Sequence, residues 1–433
     1  MTARTRLNAT DEMLAAATSS VGASRRIQLV WALPRGLDRA RVEEFWRRLD
    51  DGVLSRRPSS PLIPGARRWW APAANALPPI VDTDVAPGAP VLDWLDRQVR
   101  VPLGPDGLWA LACRPTEEGS IVALTVPHAV VDGVGLLRAV EAAAAAKSIP
   151  PQGRSRWLDD VTDIAEQTTG GLRDTARWLG ELARKPGLRA DLAAALRSGG
   201  ARRAEPDAPQ FFSTAFCTVP APRWRATAEA AGGTDNSLFL TFAERLYHAA
   251  SGRNGLGELD IGIPVSLRAG ADDLSANALV VVPMRVPAAG PTVRDVRALA
   301  KERLERTGPE DITLVPQALW HHLPRRLATA LKTPGAQFTD VVASNFGAAS
   351  PAVSHALDGA PATRVFVRTM SIPGVVPARA RLRLSLCVIR IGDTLSISIT
   401  GIPCRFGDSA ALADTADRVL RELGVRAEKW TVT

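Results

Sequence analysis

Short apolar runs bounded by proline and glycine alternate with stretches of helical spacing along this chain of 433 residues. The runs from Ile27 to Leu33 and from Ile121 to Val126 are rich in β-branched residues and predict buried strands. Pro127 ends the second by withholding a backbone donor. Between them Asp38 opens a helix in which Val42, Phe45, Trp46 and Leu49 share one face, and prolines 61, 64, 72, 78 and 79 mark a loop-rich stretch. Gly133 and Gly135 relax the backbone after Asp132, and Leu136, Leu137 and Val140 then restore helical spacing.

The second half repeats this mixture without strict alternation. Strands are predicted over Phe211 to Val219, Leu259 to Val265 and Leu279 to Val286. Helices open near Asp235 or Asn236, carrying Leu238, Phe242 and Leu246, and at Thr292. Leu382, Leu384, Leu386 and Val388 alternate with Arg381, Arg383, Ser385 and Cys387, which predicts a half-exposed strand. Gly392-Asp393 turns it into a hairpin through Leu395, Ile397 and Ile399, before a last helix with Leu412, Val419, Leu420 and Leu423.

Residues 155–200 differ in character. Trp157, Leu158, Val161, Ile164, Leu172, Ala176, Leu179 and Ala183 recur at helical spacing, Pro186-Gly187 interrupts, and Leu188, Leu192 and Leu196 resume, which predicts two or three amphipathic helices. The chain therefore divides into an N-terminal half (1–154), a helical crossover (155–209) and a C-terminal half (210–433), each half an α+β sandwich.

Charge and cysteine content narrow the partners. Fifty-three Lys and Arg against 45 Asp and Glu give a net charge of +8. Anionic partners follow: coenzyme A, an acidic carrier protein or a lipid head group. Nucleic acid is the weakest, for want of a zinc finger, an RNA-recognition signature or a basic stripe interleaved with aromatics. From Arg173 to Arg203, within the crossover, eight basic residues (173, 177, 184, 185, 189, 197, 202, 203) stand against three acidic ones (174, 181, 191). These helices either dock on a membrane surface or an acidic carrier protein, or form a solvated face whose leucines pack on the core. Without a long apolar run or a secretory leader pattern, the expected compartment is the cytoplasm, with peripheral membrane contact as an option. Cys113, Cys217, Cys387 and Cys404 are far apart and expected as free buried thiols, with no metal site.

Candidate chemistry concentrates at Pro127-His128-Ala129-Val130-Val131-Asp132-Gly133. A neutral histidine held at a strand tip suits general-base work on a hydroxyl or amine, with Asp132 orienting the ring or its loop. The same residues also read as a histidine satisfied by a carbonyl and a helix N-cap. No G-x-S-x-G elbow, phosphate loop or dinucleotide fingerprint competes, and His321-His322, which lacks a following D-G, reads as a helix end.

This heptapeptide resembles the second His, Asp and Gly of the H-H-x-x-x-D-G signature of condensation-domain-like acyltransferases. That superfamily includes nonribosomal peptide condensation domains and bacterial wax ester synthase/diacylglycerol acyltransferases. Pro264-Val265-Ser266-Leu267-Arg268 with Asn277 downstream, and Ser344-Asn345-Phe346-Gly347 after an apolar run, are similar to further segments in the same order. Asn8-Ala9-Thr10-Asp11 resembles the opening of the wax ester synthase branch. Two features depart: Pro127 replaces the first His, and the D-F-G-W-G stretch of peptide condensation domains is absent.

The resemblance implies two chloramphenicol-acetyltransferase-like subdomains in a V-shaped pseudo-dimer with a tunnel between them. It implies acyl transfer from acyl-CoA or the phosphopantetheine of an acyl carrier protein to an alcohol or amine, hydroxyl favoured, with no resident cofactor. His128 is then the base, and Asp132 points away from substrate and pairs with Arg268. Gly133, Ser344 and Asn345 are oxyanion candidates, with Gly347 and Asn277 in the tunnel. The loss of the first His also admits a repurposed protein that binds a carrier protein or ligand without turnover.

Overall fold

The two apolar runs of the first half lie side by side. β1 (Ser24–Leu33) pairs antiparallel with β6 (Gly119–Pro127), and the short hairpin β2 (Arg56–Ser59) and β3 (Trp69–Pro72) interrupts the proline-rich stretch between them. β4 (Ile80–Val81) and β5 (Ala110–Thr116) extend this sheet on one side. On the other, β11 (Arg364–Ile372) arrives from far along the chain to pair with β1, giving the order β11-β1-β6-β5-β4. The second sheet has the order β14-β7-β13-β12-β10-β8-β9. Its strands are β7 (Ser213–Pro220), β8 (Leu259–Ser266), β9 (Leu279–Val286), β10 (Val341–Ala348), β12 (Leu384–Ile391), β13 (Thr394–Gly401) and β14 (Glu428–Lys429). The computed structural model describes every residue except 1–5, 22–23, 104–106, 148–155, 199–207, 251–256, 271–272, 274, 288–289, 307–313, 322, 324–326, 328–330, 332–338, 358, 379, 381 and 431–433.

Helices complete each half. α1 (Ala9–Val21), α2 (Arg39–Asp50), α3 (Val91–Arg100) and α4 (Gly133–Ala144) belong to the first. α5 (Trp157–Arg184) and α6 (Pro186–Ser198) cross over, broken at the predicted proline. α7 (Ala221–Ala230), α8 (Asp235–Ala250), α9 (Val293–Arg306) and the helix Ser409–Glu422 serve the second half. Each half has its own apolar centre, Leu29, Trp31, Val122 and Leu136 in one, Ile261, Phe242, Leu386 and Leu420 in the other. The α+β architecture of two sheet-containing halves follows.

Three expectations change. Thr234 rather than Asp235 or Asn236 caps α8, exchanging bonds with Ser237. The hairpin strand begins at Leu384 and is buried on both faces through Ile389, because its polar face meets β11, where Thr369 and Ser385 hydroxyls are 3.2 Å apart. Arg381 and His322 lie outside the described residues.

The third change concerns α5, which does not pack through its leucines. It buries Asp160, Asp163, Gln167 and Gly171. Asp160 accepts from Arg6 at 2.7 Å and from the backbone of Leu62 and Ile63, and Asp163 receives the forked guanidinium of Arg67 at 2.9 and 2.6 Å. Charge-assisted bonds to arginines and unpaired backbone donors decide which face turns inward. Among the described residues no helix is long and apolar enough to cross a membrane.

Two buried arginines tie the halves together. Arg368 of β11 donates to Gln28, Asp96 and Thr214, spanning both sheets. Arg268, just past β8, meets Asp132 at 2.8 Å with both side chains 3% exposed. Removing Asp132 would leave a buried guanidinium uncompensated, so Asp132→Ala is expected to lose about 3–5 kcal/mol in urea unfolding. Part of that loss should return in the double variant with Arg268→Met; a single-variant loss below about 1 kcal/mol would contradict the tie.

Candidate active site

Proline closes β6 and the chain turns at once. His128 N donates to the Arg25 carbonyl at 2.8 Å, and Val130 N to that of Pro127 at 2.9 Å, so the histidine is anchored through its backbone on β1. Its half-buried ring needs a partner for Nδ1, and Asn277 Oδ1 supplies it at 2.9 Å. Asn277 Nδ2 faces only acceptors, Asp11 Oδ1 at 2.9 Å and the Ala129 carbonyl at 3.2 Å, so the amide oxygen must be the atom turned to the ring. An amide oxygen cannot donate. His128 therefore carries its proton on Nδ1 and keeps a lone pair on Nε2.

Electrostatics favour the same state. Burial, followed by the charge of Arg25, holds the imidazole below its ordinary 6.5, so it is neutral at neutral pH. Asp11 is buried too, which pushes it up to about 6 despite bonds from Asn277, Asn8 and Trp70. It accepts from Asn277 N at 3.0 Å as well as from the side-chain amide, so both ends of Asn277 are held by one carboxylate.

Asp132 caps α4, accepting from Gly135 N at 2.7 Å, and takes Ala278 N at 2.9 Å on its other oxygen. Its own N–H donates to the Ala276 carbonyl at 2.9 Å. The N-cap and the ion pair with Arg268 thus coexist in one carboxylate. The two loop glycines have steric reasons. A Cβ on Gly133 would sit 2.0 Å from the Phe346 ring, and one on Gly135 would sit 2.7 Å from Arg268 Nη2.

The chain thus brings together His128, Asp132, Gly133, Arg268 and Asn277. The Ser344-Asn345 stretch reaches this loop through Phe346. Asn345 donates to Asn236 at 3.0 Å and accepts from Gly347 N at 2.9 Å, holding a turn in which Gly347 has φ 68°. Ser344 bonds the Cys387 thiol, which burial pushes up to about 12. Cys113, Cys217 and Cys387 are buried as expected, but Cys404 is exposed. Among the described residues no group of three or more His, Cys, Asp and Glu side chains is arranged to hold a metal ion.

Sequence reasoning missed three contributors. Asp11 stands in the sequence only as part of a family likeness, although Asn8-x-x-Asp11 forms a reciprocal cap, with Asp11 N bonding Asn8 Oδ1 at 2.9 Å, that a capping-box reading would find. Arg56, buried under the loop, donates to the Val130 carbonyl at 2.9 Å and lies over Trp70. Burial pushes it down to about 10, with Asp11 opposing. Phe346 is the third. Arg56 and Phe346 sit in no pattern that singles them out. Beside the loop, Arg48, Arg56, Arg138, Lys147 and Arg268 line an open cleft with Asp273 as its one acidic wall.

No protein-family profile matches the chain, and none of the curated proteins does. Solved structures do. The first condensation domain of the CDA synthetase superposes with a TM-score of 0.61 at 16% identity, covering 97% of this chain and 95% of that one. The epimerization domain from the third module of tyrocidine synthetase B gives 0.54 at 14%, covering 97% and 96%. A mutant starter condensation domain of rhizomide synthetase, in complex with C8-CoA and Leu-SNAC, gives 0.53 at 15%, covering 97% and 94%. This chain therefore has the condensation-domain fold from end to end.

Proposed function

We propose that the protein transfers an acyl group from a thioester to a hydroxyl or amine, with His128 as general base. The observation that carries this reading is the pinned tautomer: Asn277 Oδ1 occupies Nδ1 at 2.9 Å, leaving Nε2 unprotonated in a half-buried site. Nε2 takes the proton of the acceptor as its oxygen or nitrogen attacks the thioester carbonyl carbon. The carbon–sulfur bond then breaks, and the proton on Nε2 passes to the leaving thiolate. Backbone N–H of Gly133 and, once turned from the Cys387 thiol, the Ser344 hydroxyl are the proposed donors to the intermediate oxyanion. Asp132 and Arg268, satisfied by each other and by backbone, hold the loop and take no proton.

The donor's chemistry agrees with the charge around the site. The cationic cleft at Arg48, Arg138 and Lys147 suits the phosphate of coenzyme A or of a carrier's phosphopantetheine arm. The rhizomide neighbour is described with a CoA thioester, and a condensation domain with a TM-score of 0.51 is described as mediating chain release from the enacyloxin polyketide synthase. A hydroxyl acceptor is favoured over an amine by the resemblance of the N-terminal and Ser344 segments to the wax ester synthase branch. One observation favours a second reading, a binding protein without turnover: Pro127 stands where the signature's first His belongs.

Thiol release with a panel of acyl-CoA and acyl-carrier donors separates the two. His128→Ala is expected to lower kcat by about 100- to 10,000-fold. Undiminished release by the variant refutes the base, and no release by wild type with any donor favours the second reading. The rate should fall as pH drops through the histidine's pKa, so the acid limb of kcat/KM lies below 6.5. Arg25→Gln removes a repelling charge and moves that limb up; Asn277→Ala removes an acceptor that stabilises the imidazolium and moves it down. Arg138→Glu is expected to raise KM for the thioester several-fold with kcat unchanged.

A further inference from the structure

α5 is amphipathic in the wrong direction for a helix of a water-soluble domain. Projected at about 100° per residue, Leu158, Val161, Ala165, Leu172 and Leu179 form one stripe about 32 Å long, and Asp160, Asp163 and Gln167 lie opposite. The polar side is buried and the apolar side faces outward: Trp157 is 59% exposed, Leu172 70% and Leu179 53%. No described residue covers it. The inward acids are committed to Arg6, Arg67 and backbone donors of residues 62 and 63, so rolling the helix would strand buried charges. The apolar stripe is thus held outward by the fold.

What lies beside the stripe specifies what it meets. Arg173, Arg177 and Arg184 project together along one flank and are exposed, with Glu166 exposed on the same flank and Asp174 3.9 Å from Arg177. Trp157, with an apolar body and a polar N–H, stands at the helix's first turn. Cations beside an apolar stripe that ends in a tryptophan fit the boundary between acyl chains and anionic head groups. A second copy of the chain fits less well, because two bodies of net charge +8 repel.

We propose that the outward face of α5 seats the protein on an anionic lipid surface, with the leucine stripe among the upper acyl chains and the arginine row among the phosphates. This docking is independent of the acyl-transfer reading and stands or falls without it.

Cosedimentation of the full chain with vesicles tests it. Wild type is expected to bind phosphatidylcholine vesicles containing about 30 mol% phosphatidylglycerol, to bind pure phosphatidylcholine weakly, and to release at about 0.5 M salt. Leu172→Glu with Leu179→Glu should lose binding at least roughly tenfold, with thermal unfolding unchanged because both side chains are exposed. Charge reversal at Arg173, Arg177 and Arg184 should cost roughly 10- to 100-fold. Equal binding to both vesicle types, or no effect of the leucine substitutions, overturns the proposal. So does a wild-type dimer in light scattering that Leu172→Glu splits while vesicles remain unbound, which would make the stripe a seam between copies.

Discussion

A carboxylate removed from water must find donors inside the protein, and Asp132 finds all of its donors at the junction of the two halves. One oxygen closes the first turn of α4 and takes Arg268 Nη2, and the other takes Ala278 N. With its own N–H on the Ala276 carbonyl, this residue grips the backbone on both sides of Asn277. The register between the histidine loop of one half and the segment after β8 of the other is thereby set. Asn277 stands at His128 because its neighbours are bound to Asp132.

From that register the state of the histidine follows. Asp11 turns the amide nitrogen toward itself, the amide oxygen is left to the ring, and the lone pair is delivered to Nε2. Arg56 lies beneath the same loop and compensates the charges of Asp11 and Asp132 in the interior. With Arg268 the buried cluster of two carboxylates and two guanidiniums is thus nearly neutral. Beside it, Arg138 and Lys147 line an open cleft with Asp273 as its one acidic wall.

Much of this is legible in the sequence alone. The strands at 27 and 121, the cap at Asp38, the helix start at Thr292 and the break at Pro186 are local features, each decided by residues within a turn or two of one another. The pairing of Asp132 with Arg268 was reached through a family likeness, and the buried ion pair has that geometry. The Asp11–Asn277–His128 chain was not legible, since the bonded pairs are 266 and 149 residues apart and no periodicity links them. Burial of the β12 hairpin was underestimated for a similar reason. Its alternating polar side chains looked solvated, yet β11 crosses from the other half to cover them.

The sequence by itself determined which segments are strands and helices and where they stop, because propensity, capping and hydrophobic period act over short range. It also determined that α5 has an apolar and a polar side. Only the tertiary structure decided which side turns inward, since that depends on Arg6, Arg67 and unpaired amides of residues 62 and 63, all distant in the chain, outbidding the leucines for contact. It likewise decided which nitrogen of His128 carries the proton, because a tautomer is set by whatever acceptor the folded chain brings to the ring.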